Sequence, residues 1–321
     1  MQEVRTRALV LRGFDYGESD RLVHLYTEQL GRVTAIAKGA KRSRRRFPGT
    51  LEILTVAEMR LVDPPRASIL RLEAARVLEP FEKLTEDLGR FAIACLLCEL
   101  LDRLTGEREA HPELFRFAVG ALGTLREEQA DRLLALLVLA KTLAWLGYRP
   151  QLERCGVCSV QLLENVGNIA FDPRHGGAVC ARCAPSEATW PARVLLALER
   201  GIRTPLRQRA TLGLRLTEVR NAERLIQRFF QFHLGLELRS AAFLAEALDA
   251  AERSLDAPGD PGNTSRRSAE PLPDPLAAHP GEAPHSTRDV TPEAVVSQDG
   301  GGLDPELDPE LDPGEAPLRS P

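Results

Sequence analysis

The first 80 residues alternate apolar and polar side chains over short stretches separated by turn formers. Arg5–Arg12, Arg21–Thr27, Arg32–Lys38, Leu51–Val62 and Ser68–Glu79 are rich in Val, Leu, Ile and Thr. Thr6–Leu11 and Val33–Lys38 show the partial two-residue period of a strand with one face buried. Gly13–Gly17, Gln29–Gly31, Phe47–Gly49 and Asp63–Pro65 punctuate these runs. Five short strands in so little chain predict a small closed barrel of the OB-fold kind. From Phe81 the period becomes helical. Leu84–Thr105, Pro112–Leu125, Asp131–Gly147, Pro191–Arg203, Glu218–Leu234 and Arg239–Leu255 repeat apolar residues at three and four positions. Gly147 is a C-terminal cap, and Pro150 ends that pattern. Between the third and fourth helices, Glu153–Pro185 reads as a loop-like insert with four cysteines.

After Leu255 the composition shifts to Pro, Gly, Ser, Asp and Glu. Leu303-Asp-Pro-Glu306 repeats as Leu307-Asp-Pro-Glu310. Such a segment has too little apolar surface to offset its ordering entropy. The expected class is therefore α+β: an OB-fold barrel at 1–80, a helical domain at 81–152 and 186–253, a four-cysteine insert at 153–185, and a disordered acidic tail at 254–321.

Charge sharpens this division. The net charge is −4, yet residues 254–321 hold 14 acidic and 4 basic side chains, leaving 1–253 with 32 acidic and 38 basic. A basic globular part suggests a polyanionic partner. The acidic tail is either an inert solubilising extension or a competitor for the basic barrel in cis. No secretory signal is visible, and the longest apolar runs, Phe91–Cys98 and Leu133–Ala140, are too short to span a bilayer. The expected location is cytoplasmic, and a reducing cytosol argues against disulfides.

Cys155-Gly-Val-Cys158 and Cys180-Ala-Arg-Cys183 are two Cys-x2-Cys knuckles. Each turns both sulfurs toward one point, and two knuckles complete the tetrahedral thiolate cage that zinc accepts. Four protein ligands leave no open position, so the zinc is expected to be structural. The rival, a redox dithiol, calls for a βαβ context that this helical surrounding lacks. Asn168–Val179 reads as a hairpin presenting the second knuckle, with His175 a turn residue. Cys95 and Cys98 sit within an apolar helix and read as core.

Lys38-Gly-Ala-Lys41-Arg42-Ser-Arg44-Arg45-Arg46 carries six cations and no acid, between the third and fourth strands. On a barrel such a loop would track a phosphate backbone and release counterions. The alternatives are a solvated charge run or a nuclear-import signal. Phe14, Tyr16, Tyr26 and Phe47 are the few candidates for base stacking. There is no P-loop, His-Glu-x-x-His or Gly-x-Ser-x-Gly, which argues against nucleotide-driven or standard hydrolytic chemistry. A zinc-dependent nucleic-acid-processing enzyme and a transcriptional regulator remain as other classes.

Tyr16-Gly-Glu-Ser-Asp-Arg21, then Leu22-Val-His-Leu-Tyr-Thr27 and Gly31-Arg-Val-Thr-Ala-Ile-Ala-Lys-Gly-Ala40, resemble the N-terminal signature of the RecO family. Phe230-Gln-Phe-His-Leu-Gly235 and Arg239-Ser240 resemble its closing helices. Ala241-Ala242 departs from the family, where a basic residue is common. The resemblance covers about residues 1–250. It implies a non-enzymatic mediator of DNA repair and recombination that binds single- and double-stranded DNA and anneals strands. The implied partners are single-strand-binding protein (SSB), RecR and, indirectly, RecA, and many members hold zinc. On this resemblance Lys38–Arg46 is part of the DNA surface. Gly17–Arg21 is a structural turn with Arg21 tied to an acid of that turn. Arg132, Arg149 and Arg154 are candidate receivers of an acidic SSB tail.

Overall fold

A computed structural model gives the structure of residues 2–43, 45–63, 68–162, 167–184 and 189–256. The expected acidic tail beyond Asp256 lies outside the described residues. Five strands close the barrel: β1 (Gln2–Tyr16), β2 (Asp20–Thr27), β3 (Gly31–Ala37), β4 (Thr55–Asp63) and β5 (Leu70–Pro80), in the order β1-β2-β3-β5-β4. Neighbours are antiparallel except β3 and β5, and β1 pairs with β4 to complete the ring. This is the five-stranded OB-fold arrangement.

Two boundaries differ from the sequence reading. β1 does not end at Arg12. Its first half pairs with β4 and its second with β2, bending at the register shift between Val10 and Arg12. Gly13 therefore lies in the strand opposite Val23, and the turn begins at Gly17, whose φ is +60°. The fourth strand starts at Thr55, not Leu51. Leu51 and Leu54 are apolar because they plug the barrel's end and its helical contact. The Leu54 amide donates to the Val10 carbonyl across 3.1 Å.

Alternation sorts the barrel's side chains into two cores. Val10, Val23, Leu25, Val33, Met59 and Leu61 fill the interior. Leu9, Leu11, Tyr26 and Val56 point outward into the main core, which they share with the helices. Those helices are α1 (Leu88–Leu104), α2 (Pro112–Glu127), α3 (Arg132–Trp145), α4 (Ala192–Arg203), α5 (Leu216–Leu234) and α6 (Ser240–Asp256). Asp87 caps α1 by accepting the Arg90 amide at 2.8 Å, and Asp131 caps α3 by accepting that of Leu134 at 2.7 Å. Gly147 follows α3 at φ +86°, and Gly235 ends α5 at +59°. Cys95 and Cys98 are fully buried in α1. A 3-10 segment, Leu206–Leu212, fills a stretch the periodicity left unassigned.

Ion pairs lock the barrel to the helices. Asp102 of α1 meets Arg12 at 2.9 Å and His24 at 3.1 Å. Burial alone would raise the Asp102 carboxyl, but the His24 hydrogen bond and the Arg12 charge outweigh it and hold it low. Arg108 grips Asp63 with two bonds of 2.7 and 3.1 Å. No helix among the described residues is long and apolar enough to cross a membrane.

The start of α6 rests on Glu99, which is 3% exposed. Its carboxylate accepts the Arg239 amide (2.9 Å), the Ser240 amide (2.8 Å) and the Ser240 hydroxyl (2.7 Å), with Arg103 at 3.0 Å. Burial favours the neutral acid, yet the Ser240 and Arg239 amides prevail and lower its pKa. Glu99→Gln would set an amide NH2 against these donors. The expected cost is about 3 kcal/mol, from charge-assisted bonds lost and donors left unpaired. A folded pKa below the unfolded one means this contribution is full above the ordinary glutamate range and is lost in acid. Urea melts at neutral and acid pH check both parts: the gap between wild type and variant should narrow as pH falls.

Candidate nucleic-acid interface and metal centre

The cationic loop leaves β3 at Lys38 and is fastened by the turn between β1 and β2. Gly39 takes φ +66°, and its amide donates to Asp20 Oδ1 at 2.8 Å. A 3-10 turn, Ala40–Arg42, follows. The Lys41 amide donates to the Ser19 carbonyl (3.0 Å), and its ammonium reaches Asp15 (2.9 Å) and the Gly17 carbonyl (3.2 Å). The Gly39 amide and Ser19 hydroxyl hold Asp20 below the usual carboxylate range, and Lys41 does the same for Asp15. At the loop's far end Arg46 donates to the Lys38 carbonyl (2.6 Å) and lies over the Phe47 ring at 5.0 Å.

The six cations thus differ in role. Lys41 and Arg46 shape the loop. Lys38, Arg42 and Arg45 are exposed, as Lys41 and Arg46 are, and among the described residues Arg42 comes within 3.9 Å of exposed Glu18. Arg44 lies outside the described residues. Arg21 does not pair with an acid of its own turn. It takes Glu52 at 2.7 Å and Asp15 at 3.8 Å, because Asp20 is committed to the loop. Of the candidate stacking rings only Tyr16 is exposed. Tyr26 and Phe47 are core, and Phe14 is half-buried, beneath Arg12 and edge-on to His24.

The four sulfurs of Cys155, Cys158, Cys180 and Cys183 lie within 4.8 Å of one another. Cys158 Sγ is 3.7 Å from Cys180 Sγ, close to the ~3.8 Å edge of a tetrahedron with zinc–sulfur bonds of about 2.3 Å. The Cys180 amide donates to the Cys155 sulfur (3.3 Å). Burial raises the Cys155 thiol, but amides of Cys158, Cys180 and Val157 bring it to about 6. The Cys180 and Cys158 sulfurs push Cys183 up to about 12. Four thiolates this close would repel one another, and this donor set could hold a metal ion.

The surrounding segment is not a loop hung on the helices. Its strands β6 (Asn168–Asp172), β7 (Gly177–Val179) and β8 (Thr189–Pro191) form a sheet in the order β7-β6-β8. Pro191 ends β8, so α4 begins one residue later than expected. Phe171 is buried edge-on to Phe229 of α5 at 6.3 Å and Trp190 at 5.9 Å. Gly156 and Gly177 let backbones meet: an added Cβ would lie 2.1 Å from the His175 carbonyl oxygen and 2.2 Å from that of Gln151. His175 lies in the 3-10 turn between β6 and β7 and contacts Asp172 at 2.9 Å.

The arginines expected to receive an acidic tail are already engaged. Arg132 is held by Glu223 (3.4 Å), Glu252 (2.6 Å) and Asp249, and Arg149 by Glu199. Arg154 donates to the Ser159 carbonyl at 3.4 Å.

Two family models match this chain: "Recombination protein O N terminal" over residues 1–81 and "Recombination protein O C terminal" over 85–242. The chain belongs to the RecO family of DNA repair proteins. The RecO protein of Anaeromyxobacter dehalogenans strain 2CP-C is 37% identical over 250 residues, covering 77% of this chain and 97% of that relative. The RecO of Myxococcus xanthus is 36% identical over 253 residues, covering 77% and 98%. Both carry the name "DNA repair protein RecO". Two stretches that resemble RecO now have physical roles: Gly17–Asp20 fastens the cationic loop, and Arg239-Ser240 seats α6 on Glu99.

Proposed function

We propose that this chain is a recombination mediator that binds single- and double-stranded DNA and anneals complementary strands without enzymatic chemistry. On this reading it acts with SSB and RecR to help load RecA onto coated DNA, in the cytoplasm at the nucleoid. The observation that carries the reading is the exposed cationic loop built onto a five-stranded barrel. Two DNA strands repel through their phosphates. A cationic surface screens that repulsion and raises local strand concentration, and neither effect consumes a nucleotide. Lys38, Arg42, Arg44, Arg45 and Arg46 meet the phosphates, and Lys41, held by Asp15, belongs to the DNA surface by setting its shape, as Arg46 also does. Residues 1–80 are the DNA-binding barrel, and 81–152 with 186–253 form the helical domain that meets protein partners. Residues 153–185 are the zinc ribbon, its metal held by Cys155, Cys158, Cys180 and Cys183.

Zinc here would supply only charge neutralisation and a cross-link, since four thiolates fill its coordination shell. The test is a fluorescence assay of duplex formation from SSB-coated complementary oligonucleotides. Added protein should accelerate annealing without nucleotide. No acceleration over SSB alone, at low and moderate salt, defeats the mediator reading, and strand cleavage in that assay would favour a zinc-dependent enzyme.

A further inference from the structure

The two knuckles close one cage, yet their sulfurs do not meet solvent alike. Cys155 is 2% exposed. Its sulfur accepts the Cys180 amide, and the next residue, Gly156, donates to the Ala178 carbonyl of β7 at 2.8 Å. A side chain at Gly156 would strike the His175 carbonyl, so β7 and the turn before it cover this half of the knuckle. Cys158 stands on the other half. It is exposed, and so are Val157 (50%), Ser159 and Val160 (43%) around it. Ser159 takes a left-handed φ of +59°, and its amide returns to the Cys155 carbonyl at 2.9 Å. The first knuckle therefore offers one sulfur to solvent and hides the other.

The exposed sulfur has a partner across the cage. Cys158 Sγ lies 3.7 Å from Cys180 Sγ, and Cys180 is half-buried. A disulfide needs about 2.05 Å between sulfurs, so joining this pair takes a shift of roughly 1.7 Å. An accessible thiolate beside a second one is the arrangement of cysteines that respond to oxidants. In a reducing cytosol a disulfide is ordinarily transient, made for catalysis or for sensing. A bond between Cys158 and Cys180 would link the two knuckles, as the metal does. A bond between Cys155 and Cys158 would only tighten a turn that two backbone hydrogen bonds already close.

We propose that Cys158 and Cys180 are a peroxide-sensitive pair whose reversible disulfide displaces the zinc of the ribbon. The inference rests on the zinc reading above. Hydrogen peroxide is the oxidant. The Cys158 thiolate attacks one peroxide oxygen: an S–O bond forms, the O–O bond breaks and hydroxide leaves. The Cys180 thiolate then attacks the Cys158 sulfur: the S–S bond forms, the S–O bond breaks and a second hydroxide leaves. Two electrons pass from the sulfur pair to the peroxide. Cys155 and Cys183 alone remain as thiolates, short of the four that close a structural zinc site. The knuckles stay cross-linked, so the sheet that seats Phe171 against Phe229 keeps part of its stability.

The experiment treats the zinc-loaded full chain, freed of reductant, with hydrogen peroxide. A metal-binding dye follows zinc release, while alkylation and peptide mass mapping locate the disulfide. One zinc per chain should be released as the Cys158–Cys180 linkage appears. Cys95 and Cys98, fully buried in α1, should still be free thiols at that point. Dimedone added with the peroxide should tag Cys158. The thermal midpoint of the oxidised protein should fall between those of the zinc-loaded and the chelated, reduced protein, and dithiothreitol with zinc should restore it. Zinc retained until Cys95 and Cys98 are oxidised, a linkage confined to one knuckle, or a tag on any cysteine other than Cys158 overturns the pair. Zinc content before peroxide separates the two claims. A chain without zinc at the outset sinks the zinc reading and this inference with it. A zinc-loaded chain that fails the linkage test sinks the pair and leaves the zinc reading standing.

Discussion

Cys180→Ser/Cys183→Ser should strip the protein of one zinc per chain and lower its stability by on the order of 5 kcal/mol or more. Structural zinc binds thiolate sites with an apparent ~10–16 kcal/mol in small peptides, while a whole domain is stable by only about 5–15 kcal/mol. A metal joining the two knuckles would therefore be a large fraction of what holds this segment folded. The loss should not stay local. Cys155 donates its amide to Val160 (2.9 Å) and Gly156 donates to Ala178 (2.8 Å), so the first knuckle is stitched to β7. Ile169, Phe171 and Val179 of the same sheet belong to the main core. Melting the ribbon would expose that apolar surface and leave Phe229 without its edge contact. The barrel interior, a separate apolar cluster, should persist, and with it most DNA affinity. Elemental analysis of protein purified under reducing conditions, with thermal melts before and after chelation, checks the prediction. Full zinc in the double variant, or a chelated protein melting where the untreated one does, would defeat the assignment.

The knuckles were legible in the sequence because their chemistry is local: two residues between cysteines fix the turn that aims both sulfurs. The sheet behind them was not. β8 is three residues long, and its partner Asn168–Ala170 lies about twenty positions earlier, so no periodicity could reveal it. The barrel's strands were visible as alternation, but alternation does not say which partner a strand takes. β1 ran on past Gly13 because it serves two neighbours, and Leu51–Leu54 looked like strand because plugging a barrel end also demands apolar residues. The cationic loop was legible as a count. Which of its cations fasten the loop was not, since Asp15 and Asp20 reach it only once β2 and β3 pair. Arg132 shows the same limit. It stands beside apolar helix in sequence, yet the carboxylates that occupy it come from α5 and α6, about 90 to 120 positions away.

Lys38→Ala/Arg42→Ala/Arg45→Ala should flatten the salt dependence of single-strand binding by about 2 in the log–log slope, since each phosphate contact contributes roughly 0.7. If binding converges with wild type near 1 M salt, that slope corresponds to about a hundredfold loss near 0.1 M. The loss should be the same for every oligonucleotide sequence, because phosphate contacts carry no base information. Lys41→Ala is the variant that separates charge from shape. Lys41 already sits 2.9 Å from Asp15, so it displaces few counterions from DNA and its removal should barely change the slope. It also holds the loop to Gly17, so its loss should lower affinity by a similar factor at every salt concentration. A cationic run that merely coats the surface would behave otherwise, with Lys41 counting as much as Arg42 in the slope. Salt titrations of wild type, the triple variant and Lys41→Ala distinguish the two. An unchanged slope in the triple variant would mean that these three cations do not meet phosphates. A slope lowered equally per residue by Lys41→Ala would mean that the Asp15 pair does not survive in solution.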